Sequence, residues 1–213
     1  MSKIEELVAK LCPNGVNFTR VGDIASVGTG SKDRKDAVLD GAYPFYVRSK
    51  EVLRINSYEF DEEAIVIPGE GGIGEIFHFV SGKYALHQRA YRISFKHKQL
   101  DSKFAYYCFS VSFKKFILSK AVSATVTSIR KPMITDFYIP VPPLKVQREI
   151  VKVLDTFIHL EIELQAELEA RRRQYQYYRD ALLSFDESTA QASKQASKQA
   201  SKQASKYMVG DRR

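Results

Sequence analysis

From Leu144 to Phe185 the chain has neither proline nor glycine, whereas the block just before it, Ile139-Pro140-Val141-Pro142-Pro143, carries three prolines. Proline fixes φ and lacks an N–H, so the block ends whatever precedes it, and its last pair sits where a helix can begin. Steps of three and four residues from Gln147 reach Ile150, Leu154, Phe157, Glu161, Leu164, Leu168, Arg171, Tyr175, Tyr178, Leu182 and Phe185. This is a seven-residue repeat sustained for roughly five heptads, with Glu161 and Arg171 as polar interruptions. At about 1.5 Å per residue such a helix is on the order of 60 Å long, more than a small domain in front of it can cover. An amphipathic helix packed on its own domain is the simpler reading, but typical globular helices end within about 20 residues. The seam of Ile150, Leu154, Phe157, Leu164, Leu168, Tyr175, Tyr178 and Leu182 therefore calls for a second helix. No other long heptad segment exists in the chain, so the partner is another copy or another protein, and an antiparallel self-pair is the most economical. Away from the seam, the run Arg171-Arg172-Arg173-Gln174-Tyr175-Gln176-Tyr177-Tyr178-Arg179-Asp180 is crowded with Arg and Tyr and suits either a solvated surface or a docking site for a further protein.

Composition bounds the remainder. The 213 residues leave room for one sizeable domain plus an appendage, and 44% hydrophobic content is enough for a packed core. No apolar run approaches the length of a membrane span, and the N-terminus is not a secretory signal. Cys12 and Cys108 form no CxxC pair, which suits a cytoplasmic protein with reduced thiols. A net charge of +8 and a pI near 9.3 favour a polyanionic partner, most simply DNA, although many basic proteins bind none.

In chain order, residues 3–12 suit a short amphipathic helix stopped by Pro13-Asn14-Gly15. Residues 18–25 suit a strand and a turn, and residues 28–35 a basic loop. Strand-like runs follow at Tyr43–Val47, Ala64–Ile67, Ile76–Val80 and Ala90–Phe95, then a helical stretch at Phe104–Lys120. The expected class is α+β: a mixed domain over residues 1–140, a long coiled-coil-forming helix over 141–187 and a repeat-containing tail over 188–213.

Several loops carry chemistry suited to nucleic acid. Lys32, Arg34 and Lys35 make the 28–35 loop basic. Tyr46, Arg48, Ser49 and Lys50 set a planar ring, a fork donor, a hydroxyl and an ammonium at a strand end. Arg can bridge guanine O6 and N7, while Lys and Ser suit phosphates; a plain surface strand end fits each of these residues equally well. Pro68-Gly69-Glu70-Gly71-Gly72-Ile73-Gly74 lacks the Gly-Lys-Ser/Thr ending of a P-loop. A tight turn at Gly71 and Gly72, letting backbone approach DNA or only another strand, is the better reading. His87, Gln88 and Arg89 form a compact donor set, and Gln can pair with adenine, although a lone histidine is more often structural. Residues 123–131 are hydroxyl-rich and end in cations; Thr125, Thr127, Ser128, Arg130 and Lys131 suit phosphate contacts. The histidines are scattered, so no metal cluster is visible, and no catalytic constellation stands out.

Two motifs resemble a known family. The run Ile139-Pro140-Val141-Pro142-Pro143-Leu144-Lys145-Val146-Gln147-Arg148-Glu149-Ile150-Val151 looks like its pattern I-P-x-P-P-L-x-x-Q-x-x-I-V. The run Arg173–Phe185 resembles its ending Q-Y-x-Y-Y-R-x-x-L-L-x-F. Both belong to the DNA-specificity (S) subunits of type I restriction–modification systems. Full-length members carry two target-recognition domains, each followed by one such helix, and this chain resembles half of one. The resemblance implies a non-catalytic subunit that binds double-stranded DNA and docks methyltransferase (M) subunits, with restriction (R) subunits joining through them. S-adenosylmethionine, ATP and magnesium would then belong to those partners and not to this chain. Two copies paired through the helix would place recognition domains at opposite ends and read a bipartite target with inverted halves. The alternative is a truncated or regulatory half-subunit that binds DNA only together with M subunits or another S chain.

The tail repeats Gln-Ala-Ser-Lys four times from Gln191 to Lys206. Ala, Gln and Lys are fair helix formers and a four-residue period nearly matches a helical turn, yet the repeat has no apolar seam and suits a flexible polar tail equally well. In the resembling family short tandem repeats act as a spacer, which is the role expected here.

Overall fold

Why the first helix starts where it does is written in its first residues. The computed structural model describes residues 2–120, 128–184 and 194–202. Helix α1 (Lys3–Leu11) opens with a capping box: Glu5 N–H donates to Ser2 Oγ at 3.2 Å and Ser2 N–H to Glu5 Oε2 at 2.7 Å. It stops ahead of Gly15, whose φ of +87° a side chain would resist. Then β1 (Phe18–Arg20), the four-residue α2 (Val21–Ile24) and β2 (Ala25–Thr29) follow without a break, where one strand and a turn were expected. Gly28 and Thr29, expected in a loop, complete β2. Next come β3 (Tyr43–Tyr46), β4 (Val52–Ile55), β5 (Phe60–Pro68), β6 (His78–Leu86) and β7 (Ala90–Phe95). The chain continues with α3 (Ser102–Lys120), α4 (Lys131–Thr135), β8 (Tyr138–Pro140) and α5 (Leu144–Leu183).

Six strands form one sheet in the order β2-β7-β5-β6-β3-β4, and β1 pairs with β8 in a separate two-stranded ribbon. Every pairing is antiparallel except β3 with β6. Strand β5 is central, and side chains alternate between faces. Ile65 and Ile67 join a core built on Phe104, Phe109, Phe113 and Ile117 of α3, while Ala64 and Val66 join a second cluster with Val80, Tyr84 and Leu86. Both faces are covered, which explains the unbroken apolar run Ala64-Ile65-Val66-Ile67. Phe137, just before β8, packs with ring centroids 5.0 Å from Phe109 and 5.3 Å from Phe113. The α+β class with a long helix holds.

Helix α5 is 40 residues long, as the proline-free run predicts, and its first turns are fixed to the domain. Gln147 is fully buried; its Oε1 accepts from Asp101 N–H at 2.8 Å, and its Nε2 donates to Gln99 O at 2.8 Å and Pro142 O at 2.6 Å. Two turns on, Asp155 accepts from Lys103 Nζ at 2.7 Å and from the Tyr107 hydroxyl. Burial pushes the Asp155 carboxyl up, but these two donors outweigh it and hold it below its ordinary value. Ile150, which the heptad assigns to the helix–helix seam, instead packs half-buried against the domain's own core, together with Val151. The reason is position: it lies one turn after Gln147, on the stretch anchored to α3.

Contacts divide the chain into two units, Met1–Thr156 and Phe157–Arg213. In the second, every residue from Phe157 to Ser184 is exposed, including Leu164 at 66% and Leu182 at 76%. Residues 194–202, within the tail repeat, are helical. Phe185 lies outside the described residues. Among the described residues no helix is long and apolar enough to cross a membrane.

Candidate nucleic-acid interface

The parallel pairing of β3 with β6 sets Phe45 beside Ala85 and Tyr46 beside Leu86, so the segments after both strands leave the same end of the sheet. Backbone hydrogen bonds then draw in further loops. His87 N–H donates to Tyr46 O at 2.9 Å, Gln88 N–H to Lys32 O at 2.9 Å, Gly69 N–H to Arg89 O at 2.9 Å and Ile129 N–H to Gly69 O at 2.7 Å. The turn at residues 87–89 is therefore a hub touching the loops at 32, 46 and 69, and the third of these touches 129. Five stretches far apart in sequence, each singled out for its cations, hydroxyls or glycines, become neighbours.

Two glycines make this stitching possible. A Cβ on Gly30 would sit 1.8 Å from Leu86 O, and one on Gly69 would sit 2.8 Å from Arg89 O. Only glycine lets the backbones approach so closely. The second half of the expectation for the glycine-rich turn, approach to another strand, thus describes Gly69. Gly71 and Gly72, at φ +68° and +59°, shape the turn itself; a Cβ on Gly71 would meet nothing.

Charges collect on this frame. Arg48 and Arg89 both donate to Glu70 Oε2, at 3.0 and 3.1 Å, and all three side chains are well exposed. Exposed pairs of this kind contribute about 0–1 kcal/mol each, so the two guanidiniums are held in place but not locked. Arg34, Val47, Arg48, Ser49, Glu70, Gly71 and His87 line a cavity of about 230 Å³. Lys32 is half-buried in its bridge to His87, while Lys35 and Lys50 are exposed. Ser128 is bridged to Glu70, and Arg130 and Lys131 are exposed at the start of α4. Thr125 and Thr127 lie outside the described residues.

One assignment changes, and a second residue is less open than expected. His87 is only 4% exposed and its Nδ1 accepts from Arg89 N–H at 2.9 Å, so it pins the turn and is not an open donor. Burial, and then nearby Arg48, lower its pKa, leaving it neutral near pH 7. Tyr46 is half-buried against Tyr84 and His78, with centroids 5.9 and 5.1 Å away, and burial raises its hydroxyl pKa. Its ring is thus partly packed within the domain. Gln88 stays exposed, its Nε2 donating to Asp33 Oδ2 at 2.9 Å.

Residues 13–171 match the family model for the type I restriction modification DNA specificity domain. The chain belongs to that family. The specificity subunit of the EcoDI type I restriction enzyme of Escherichia coli is 30% identical over 165 residues, covering 78% of this chain and 36% of the relative. A putative type I specificity subunit of Mycoplasma pneumoniae, S.MpnORF507P, is 25% identical over 181 residues, covering 82% of this chain and 49% of the relative. The chain therefore spans about half, or less, of these relatives. The fold resembles the crystal structure of the type I restriction–modification S subunit from M. genitalium, with a TM-score of 0.61 at 22% identity over 82% of this chain and 48% of that one.

Sequence reading missed two carboxylates of this specificity domain. Glu59 accepts from Ser31 N–H and Oγ, at 2.9 and 2.6 Å, and from Leu86 N–H at 3.0 Å, tying the 30–32 loop to the end of β6. Nothing local distinguishes it from the acidic residues around it. Glu70 was visible as the one charge inside a glycine-rich turn, but its two arginine partners are 22 and 19 residues away. Among the described residues no group of His, Cys, Asp or Glu is placed to hold a metal ion.

Proposed function

We propose that this chain is a half-length DNA-specificity module of a type I restriction–modification system, without catalysis of its own. The observation that carries the reading is the convergence of five basic, hydroxyl-bearing or glycine-rich segments at one end of the sheet, with Arg48 and Arg89 poised on Glu70. The exposed pairs to Glu70 contribute only about 0–1 kcal/mol each, so they present little barrier to either guanidinium turning onto a base or phosphate. The seam from Phe157 onward pairs two copies antiparallel, and each domain reads one half of an inverted, bipartite target. Methyltransferase subunits dock on the paired helices, restriction subunits join through them, and these partners supply S-adenosylmethionine, ATP and magnesium.

Methylation mapping of DNA from cells expressing the chain with its cognate methyltransferase subunit tests the whole reading. A methylated motif with two identical inverted halves is expected. An asymmetric motif would mean that the chain works beside a different recognition domain. No new methylation would favour a regulatory or truncated half-subunit.

Within the interface, Arg48→Ala and Arg89→Ala are each expected to weaken binding to the mapped target by about 1–3 kcal/mol and to relax specificity at one position. Glu70→Gln should act in the opposite sense on random duplex, binding it more tightly because a negative charge leaves the surface. Fluorescence anisotropy on target and random duplexes separates these effects. Arginine variants with unchanged affinity on both duplexes would remove this end of the sheet from the interface.

A further inference from the structure

The tail repeat holds a feature that a passive spacer does not need. Residues 194–202 are helical and exposed, and Lys194, Lys198 and Lys202 recur every four residues along them. A four-residue step turns about 40° past a full helical turn, so the three ammoniums stay on one face, spaced about 6 Å apart along the axis. The sequence has no acidic residue between Glu187 and Asp211. Like charges at i, i+4 destabilise a helix, and this stretch has no apolar stripe to offset them. Ser197 Oγ donates to Lys194 O at 3.1 Å and Ser201 Oγ to Ser197 O at 2.8 Å, which turns both hydroxyl protons to the backbone and leaves Gln195, Gln199 and the three lysines facing outward, with lysine the only charge among them. A row of phosphates would relieve the repulsion. Along one DNA strand phosphates advance about 3.4 Å each, so the roughly 12 Å from Lys194 to Lys202 matches three to four of them, within reach of flexible lysine stems.

The geometry points to a lysine ladder that binds the DNA phosphate backbone without regard to sequence, each repeat adding one cation. The inference rests on the DNA-binding reading above and adds a second contact outside the recognition domain. Each further repeat adds to this sequence-independent affinity.

The test is the salt dependence of binding by the full chain to a random-sequence duplex. Replacing Lys194→Gln, Lys198→Gln and Lys202→Gln together keeps fair helix formers while removing three cations. The log–log salt slope should become less steep by about 0.9 per lysine, about 2.7 in all, so the variant loses about 40-fold less affinity than the wild type between 50 and 200 mM salt. The corresponding Lys→Arg triple variant should restore the wild-type slope. An unchanged slope in the glutamine variant overturns the ladder, as does a slope that arginine fails to restore. A variant that keeps its DNA slope but no longer co-purifies with the methyltransferase subunit also overturns it, by making the stripe a protein-docking face. Absence of duplex binding by the wild type overturns both the ladder and the DNA-binding reading. A normal methylated motif with an unchanged slope overturns the ladder alone.

Discussion

Gln147→Ala is expected to destabilise the recognition domain by about 4 kcal/mol, the largest loss from any single polar substitution in it. The side chain has no access to water and satisfies three backbone groups, Asp101 N–H, Gln99 O and Pro142 O. Truncation leaves all three unpaired around a new cavity, and each buried unsatisfied group costs about 1–3 kcal/mol, less than additively where water can enter. Two of these groups lie at the entrance to α3: Asp101 Oδ1 accepts from Lys103 N–H and Phe104 N–H, both at 3.0 Å, so loosening Asp101 frays that helix as well. Gln147→Glu is the sharper control, because it keeps the shape and the acceptor but turns the donor into an oxygen facing two carbonyl oxygens. The introduced carboxylate can donate only when protonated, so its folded-state pKa is raised above the unfolded value. Stability should therefore be nearest wild type below about pH 4.3 and fall as pH rises from there through the raised value. Urea unfolding of the three proteins across pH measures this. Wild-type stability in the alanine variant would mean that Gln147 is not the latch between α3 and α5.

The same residue shows what was legible in the sequence. Gln147 lay inside a motif whose resemblance identified the family, and the heptad count began on it, yet periodicity cannot distinguish a seam from a latch. Only the position of Gln99, Asp101 and Pro142 around it decides, and those contacts span up to 48 residues. Elements with a local signature were readable: α5 from the proline block and the proline-free run, α1 from its amphipathic spacing and glycine stop, β7 from its bounds. Strand β4 was missed because Val52-Leu53-Arg54-Ile55 is four residues long with a charge inside, and it exists through pairing with β3. Strand β2 was masked by Gly28 and is held by β7, about 65 residues later in the chain. For the interface, residue chemistry named most of the neighbours, but their convergence depends on the β3–β6 pairing and on Gly30 and Gly69. Burial then withdrew His87, which composition alone could not foresee.

If two copies pair as proposed, Leu164→Glu combined with Leu168→Glu should convert that dimer to a monomer and abolish methylation directed by this chain. Large apolar side chains repeat along α5 beyond Thr156, and Phe157, Leu164, Leu168, Tyr175, Tyr178 and Leu182 are each more than half exposed. Ile150 is withdrawn onto the domain core and Leu154 is half-buried, so the free seam begins at Phe157. Each leucine buried in a helix–helix seam contributes about 1.5–3 kcal/mol, and forcing a carboxylate into it adds a desolvation penalty of several kcal/mol. Four such substitutions meet across a twofold pair, enough to cancel an ordinary association free energy. Light scattering should move from twice 24.3 kDa to 24.3 kDa, while the unfolding midpoint of the recognition domain stays unchanged, because that unit ends at Thr156. The domain's arginines and lysines would remain, so the monomer should still bind a random duplex, with a shallower salt slope because one set of phosphate contacts replaces two. A wild-type chain that is already monomeric would assign the seam to a methyltransferase subunit, and the same double variant would then block that docking. A double variant that stays dimeric would place the interface elsewhere and leave the exposed leucines without a role.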